Sequence, residues 1–148
     1  MTNILVVDDE IGIRELLSEI LNDEGYSVVT AENAAMARRA LASDSFDLIL
    51  LDIWMPDTDG VTLLKEWSSK KQLPCPVIMM SGHATIETAV EATKFGALAF
   101  LEKPISMQKL LEAVRHGLEV HQRITQFAKY RPVEERPAFV GFRRLSMC

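Results

Sequence analysis

Residues 50–60 read LLDIWMPDTDG, from Leu50 to Gly60. They continue an apolar run, DLILLDI over 47–53, that breaks into Met-Pro-Asp-Thr-Asp-Gly. A short, almost wholly apolar run reads as a strand covered on both faces. Yet it carries a carboxylate, Asp52. A lone ionised carboxylate in a core costs several kcal/mol or shifts its pKa until it is neutral. Asp52 is therefore expected at the strand's end, near water, with something positive beside it.

Three more runs have the same character: ILVV (4–7), SVVT (27–30) and VIMM (77–80). A weaker fifth is LAFL (98–101). Between them apolar residues recur at helical spacing. Ile13, Leu16, Leu17, Ile20 and Leu21 mark a first helix, and Ala34, Ala37, Ala40 and Leu41 a second. Val61, Leu64 and Trp67 mark a third, and Ile86, Ala89, Val90 and Phe95 a fourth. Met107, Leu110, Leu111, Val114 and Leu118 mark a fifth. Asp9 or Glu10 stands where the first helix needs a cap, Gly25 follows it, and Ser106 precedes the fifth. Five strands alternating with five helices predict an α/β fold, a doubly wound parallel sheet with helices on both faces.

In such sheets ligands bind beyond the carboxyl ends of the strands. Those ends carry the polar residues: Asp8-Asp9, Asp52, Ser81-Gly82-His83 and Glu102-Lys103-Pro104. Three carboxylates, a hydroxyl and an ammonium converge on one edge. Crowded acids repel, and a hard cation such as Mg²⁺ relieves them with oxygen ligands and retained waters. No Cys or Ser stands beside an oriented base, so the candidate nucleophile is Asp52 itself, attacking phosphorus to give an acyl phosphate. Taken alone, Asp8 and Asp9 read equally well as caps of the first helix. Ser81-Gly82 also reads as a turn, Phe100 as core and Trp54 as partial core packing. His83 reads as a cleft-edge residue rather than a metal ligand.

The bulk numbers agree with one soluble domain. The chain has 148 residues, 48% hydrophobic and 25% charged. Cys75 and Cys148 are far apart with no ligand spacing, so free thiols in the cytoplasm are expected. No apolar run approaches membrane-spanning length, and the N-terminus lacks a signal peptide's pattern. The formal charge is −5, which argues against direct nucleic-acid binding. It is uneven: residues 124–148 carry five basic and two acidic side chains, +3, leaving −8 on the rest.

The order and strand-end placement of DD, D with PDTDG, SGHA and KP resemble a response-regulator receiver domain of two-component systems over about residues 3–120. IWMPDTDG with LLKEW, and KPISMQKLLEAV, resemble its nitrogen-regulation group, the NtrX- and NtrC-like sigma-54-dependent regulators. The resemblance implies a flavodoxin-like fold with strand order 2-1-3-4-5. It implies that Asp52 is the phosphoacceptor, charged by a sensor histidine kinase. Asp9 would be the direct Mg²⁺ ligand (Mn²⁺ the alternative), with Asp8 mostly through water, Asp52, and the carbonyl of Trp54. Lys103 and Ser81 would hold the phosphoryl oxygens, and the bond before Pro104 would be cis. Ser81 and Phe100 would be the switch residues. Trp54 and His83 would tune dephosphorylation, with the Trp54 indole hindering water and making it slow. Such a chain is not an enzyme beyond Mg²⁺-dependent self-phosphorylation and slow self-dephosphorylation.

The expected organisation is a receiver at 1–121 and an extended helix and flexible tail at 122–148. Ile124 and Phe127 prolong the apolar stripe until Pro132. A homodimer is expected through this extension or through the face of the fourth helix, fifth strand and fifth helix. No Walker A loop is present, so the ATPase and DNA-binding domains of the family are expected to be missing. Two other classes compete. A phosphatase using an aspartyl phosphate would need an acid two residues after Asp52, where Trp54 stands. A phosphorylation-independent interaction module would normally have lost an acid or the lysine, and all are here.

Overall fold

The computed structural model describes residues 1–69, 75–83 and 85–130. The flexible tail expected after Pro132 lies outside the described residues. Ten elements alternate strictly: β1 (Asn3–Val7), α1 (Ile11–Asp23), β2 (Ser27–Ala31), α2 (Ala34–Ser43), β3 (Leu48–Asp52), α3 (Gly60–Ser69), β4 (Val77–Ser81), α4 (Ile86–Lys94), β5 (Ala97–Glu102) and α5 (Met107–Tyr130). All strand pairs are parallel, in the order β2-β1-β3-β4-β5. The expected doubly wound sheet and its strand order are both present.

Alternation along each strand splits the interior in two. Leu5, Val7, Ile49, Leu51, Val77 and Met79 face α2, α3 and α4, packing with Ala34, Leu63, Leu64 and Ala92. Ile4, Val6, Leu48, Leu50, Ile78 and Met80 face α1 and α5, packing with Leu17, Leu21, Leu110 and Val114. The three inner strands are buried almost throughout, which is why their sequences are apolar except at an end: Asn3 opens β1, Asp52 closes β3 and Ser81 closes β4. Edge strands β2 and β5 are half-exposed, and correspondingly less apolar.

The helix termini follow from local chemistry. Gly25, at φ 91°, supplies the left-handed turn after α1. Asn33 and Thr85 cap α2 and α4, accepting from the N–H of Met36 and Thr88. Ser106 does the same for α5, accepting from Lys109 at 3.3 Å. The cap expected from Asp9 or Glu10 works differently. Glu10 holds the N-cap position of α1 without a side-chain cap bond. Asp8 instead accepts from the Glu10 N–H at 2.9 Å, releasing the Glu10 carboxylate for another partner.

α5 continues without a break across the boundary expected at residue 121. Gly117 lets it lie close to the sheet, because a Cβ there would run into the Leu48 side chain. His121 Nε2 then meets Asp47 Oδ1 at 3.2 Å. Further on, Ile124 is 62% exposed.

The PDTDG turn is governed by Gly60. Its N–H donates to Ile53 O at 2.6 Å, and a Cβ on it would collide with the carbonyl of Asp52. Asp59 accepts from the Thr62 N–H at 2.8 Å and so starts α3. Gly60→Ala is therefore expected to lower stability by about 2 kcal/mol, the scale of a core overpacking. Urea denaturation checks this, and a loss under about 0.5 kcal/mol would contradict the close approach.

Candidate functional site

Strand parity decides where the acids lie. Asp52 follows Leu48 and Leu50 on the α1/α5 side of β3, and Asp8 follows Ile4 and Val6 on the same side of β1. The register pairs Val7 with Leu51, so the two carboxylates stand level on neighbouring strands. Both are buried: Asp8 is 0% exposed and Asp52 3%. Asp52 is thus drier than its expected place near water.

The positive group comes from the far end of the sheet. The backbone N–H of Lys103 donates to Ser81 O at 2.9 Å, and the Lys103–Pro104 bond is cis. Its Nζ lies 2.7 Å from Asp8 Oδ2, 3.2 Å from Glu10 Oε1 and 3.4 Å from Asp52 Oδ1. Asp8, not Asp52, is the nearest partner. Glu10, read in the sequence only as a cap, is the second and Asp52 the third. The one signal for Glu10 was adjacency to the acid pair.

The charges act on one another. Burial pushes the Asp52 carboxyl up to about 6, and Asp8 and Asp9 add to the rise while Lys103 opposes it. Burial alone would lower the Lys103 ammonium, but Asp8, Asp52 and Glu10 outweigh it and hold it above its usual value. One oxygen stays underused. Asp8 Oδ2 is ion-paired to Lys103, yet it is buried and accepts no well-aligned hydrogen bond.

The remaining residues frame an open cleft. Asp9, Glu10, Trp54, Gly82, His83 and Pro104 line it together with Asp52 and Lys103. Trp54 is 55% exposed, so the partial core packing read for it is not what its indole does. Ser81 is buried, and its Oγ accepts from the His83 backbone N–H at 3.1 Å, which leaves the hydroxyl hydrogen free to donate. That contact uses the His83 main chain, so Ser81 and His83 do not form a nucleophile and base. Phe100 is half-buried against the α2/α3/α4 core, on the opposite side from Asp8 and Asp52.

The donor set suits a hard divalent cation such as Mg²⁺ or Mn²⁺. One carboxylate oxygen each of Asp8, Asp9 and Glu10 lies within 4.8 Å of the others, and Asp8 also carries the underused Oδ2. Asp52 is outside this close group and is instead ion-paired to Lys103. Two further residues went unread in the sequence. Arg14 Nη1 donates to the Asp8 carbonyl at 2.7 Å and its Nη2 lies 3.8 Å from Glu32. Asp57 accepts from the N–H groups of Ala34 and Ala35 at 3.0 and 3.1 Å. Arg14 links α1 to the end of β1 and to Glu32 after β2, and Asp57 reaches α2 across 23 positions; no local pattern announces either.

Comparison with known proteins agrees with this geometry. Residues 4–115 match the family described as response regulator receiver domain. The nitrogen assimilation regulatory protein NtrX of Azorhizobium caulinodans is 44% identical over 119 residues, covering 79% of this chain and 26% of that protein. The crystal structure of NtrX from Brucella abortus superposes with a TM-score of 0.80 at 40% identity, over 88% of this chain and 30% of that one. A CheY-like receiver domain protein from Methanospirillum hungatei gives a TM-score of 0.76 at 31% identity, covering 83% of this chain and 98% of that chain. The chain spans about a quarter of the length of the curated relatives it matches.

The raised Asp52 pKa has a sign that can be checked. Between about 4 and 6 the folded state binds more protons than the unfolded state, so stability falls as pH rises through that window. Above it, the ionised carboxylate remains a burden. Without divalent metal, Asp52→Asn is expected to be about 2 kcal/mol more stable than the wild type at pH 7.5. The gain should shrink through the window and vanish below about pH 4. Urea titrations at several pH values read it directly, and a pH-independent difference would contradict the assignment.

Proposed function

The chain belongs to the response regulator receiver domain family, and we propose that it is a phosphorylation-controlled switch whose acceptor is Asp52. The observation that carries this reading is a buried carboxylate at a strand end, raised to about 6 by its burial and by its acidic neighbours, and lying 3.4 Å from a lysine. A group with that pKa is mostly ionised at neutral pH, yet more basic than an ordinary aspartate, which suits a nucleophile.

The donor is a phosphohistidine of a sensor kinase. An Asp52 carboxylate oxygen forms the new bond to phosphorus as the phosphorus–nitrogen bond to the imidazole breaks, and the imidazole leaves with the electron pair. Asp9 and Asp8, with Asp52, the Trp54 carbonyl and Glu10 nearby, would hold a Mg²⁺, which would supply positive charge to the phosphoryl oxygens. Lys103 supplies the fixed ammonium of the site, and Ser81 turns its free hydroxyl hydrogen to a phosphoryl oxygen. Drawing Ser81 and Lys103 toward the new charge pulls on β4 and β5, and so on Phe100 and α4. This biases a two-state face that selects partners or a second copy of the chain.

The exposed Trp54 indole beside the cleft hinders in-line water, so the phosphorylated form is long-lived. In the complete regulator, ATPase and DNA-binding domains read the switch and control transcription, including nitrogen regulation. Dimerisation through the α4–β5–α5 face or the exposed stripe of α5 at Ile124 would connect the two. The Phe127 side chain, also expected in that stripe, lies outside the described residues.

Mass spectrometry after incubation with acetyl phosphate and Mg²⁺ tests the central claim. A gain of about 80 Da is expected in the wild type, and none in Asp52→Ala or with excess EDTA. An unchanged mass in the folded wild type would favour a phosphorylation-independent interaction module. The labelled protein should lose its phosphoryl group over minutes or longer with Mg²⁺ present, and a half-life of seconds would refute the role given to Trp54. Mg²⁺ alone should raise the melting temperature of the wild type and do so less in Asp9→Asn.

A further inference from the structure

The loop from Ile53 to Asp59 is fastened at several points, and one of them lies on a different helix. Met55 packs against the α2/α3/α4 core, Asp59 caps α3, and Gly60 closes the turn onto Ile53. These anchors are local. Asp57 is not: its Oδ1 accepts from Ala34 N at 3.0 Å and its Oδ2 from Ala35 N at 3.1 Å. Oδ1 also accepts from Thr58 N at 2.9 Å. These are the first two N–H groups of α2, orphan donors at the positive end of the helix. Burial works against the Asp57 charge, but the bonds from Ala34, Ala35 and Thr58 outweigh it and keep the carboxyl below its usual range. Three residues before this anchor stands Trp54, exposed at the rim of the cleft that holds Asp52.

We propose that Asp57 is a positioning residue for the acyl phosphate: by clamping the loop to α2 it holds the Trp54 indole beside Asp52 and so sets how fast water reaches the phosphorus. The inference deepens the reading of Asp52 as phosphoacceptor and rests on it. Asp57 touches neither the phosphoryl group nor Lys103. Its effect passes through the short Trp54–Asp57 segment, whose other end is fixed by β3. With the clamp gone, the segment keeps the Met55 packing and the local anchors at Asp59 and Gly60 but loses its tie to α2, and the indole can swing out. Hydrolysis then speeds up, because the step is limited by access of an in-line water.

Two measurements on the full chain test this together. The first is the decay of the Asp52 phosphoryl group with Mg²⁺, followed by mass, in wild type, Asp57→Ala and Asp57→Asn. Decay is expected to rise about fivefold in Asp57→Ala. Asp57→Asn keeps one carbonyl acceptor and should fall between. Arg38→Ala is the control. It breaks the paired 2.8 Å bonds between α2 and Glu66 of α3 and removes a positive charge near Asp57, but leaves the Asp57 bonds to Ala34 and Ala35 in place, and should leave decay unchanged. The second measurement is iodide quenching of tryptophan fluorescence in the unphosphorylated proteins. Trp67 is buried, so quenching reports Trp54, and it should increase in Asp57→Ala alone. Wild-type decay in Asp57→Ala would overturn the proposal, as would equal acceleration in Arg38→Ala or an Asn variant no better than Ala. If no variant is labelled, the phosphoacceptor reading fails, while unchanged quenching in Asp57→Ala separately removes the clamp.

Discussion

The ammonium of Lys103 is the point on which the site depends. Two carboxylates are buried side by side at the ends of β1 and β3, and neither would tolerate its charge without a cation close by. Lys103 reaches both from the end of β5, the far edge of the sheet, so its ion pairs span β1, β3 and β5. Its own placement depends on the Ser81 carbonyl that receives its N–H. The arrangement is balanced rather than saturated. Asp8 takes the shortest contact, Glu10 competes from the exposed side, and Asp52 is left with the longest. A group whose charge is only partly offset is the one most ready to gain from a new partner.

Constraint is distributed unevenly around this centre. Towards α2 and α3 the ties are Asp57 and the paired bonds of Arg38 to Glu66. Towards α4, among the described residues, they lie at the surface: Lys65 bonds to Glu91 and sits over the Phe95 ring at 5.2 Å. Ile86 and Val90 of α4 are exposed, and Phe100 of β5 is only partly covered. An electrostatic change at Asp52 therefore meets a stiff side and a compliant one. The compliant side is where displacement is least costly.

Much of this architecture was legible because its signals are local. Inner strands buried on both faces are apolar except at an end, so ILVV, LILL and VIMM stand out, and any charge ending such a run needs a reason. That contradiction singled out Asp52, Asp8 and Lys103, and the family resemblance supplied their roles. What was not legible depends on residues that meet only after folding. Glu10 and Lys103 are 93 positions apart, and Asp57 and Ala34 are 23. PDTDG announces a turn, but nothing in it says that its first aspartate reaches another helix. The depth of Asp52 was also misjudged: strand-end position suggested water, while Lys103 and the neighbouring loops cover it. Trp54 was ambiguous from local pattern, since an indole beside an apolar run suggests packing; the family resemblance pointed to the cleft, and the turn after Asp52 carries it outward there.

The length of α5 has a mechanical consequence. The helix is pressed onto the sheet at Gly117 and tied at His121 to Asp47, at the opposite edge of the sheet from the charged cleft. Beyond that fulcrum about 14 Å of helix projects to Tyr130, at 1.5 Å per residue. It is a cantilever. A tilt of about 10° at His121 moves the tip by about 2 Å, whereas the same tilt hardly moves the residues at the fulcrum. Whatever is joined to that tip receives a lever's displacement from a rearrangement too small to break the core.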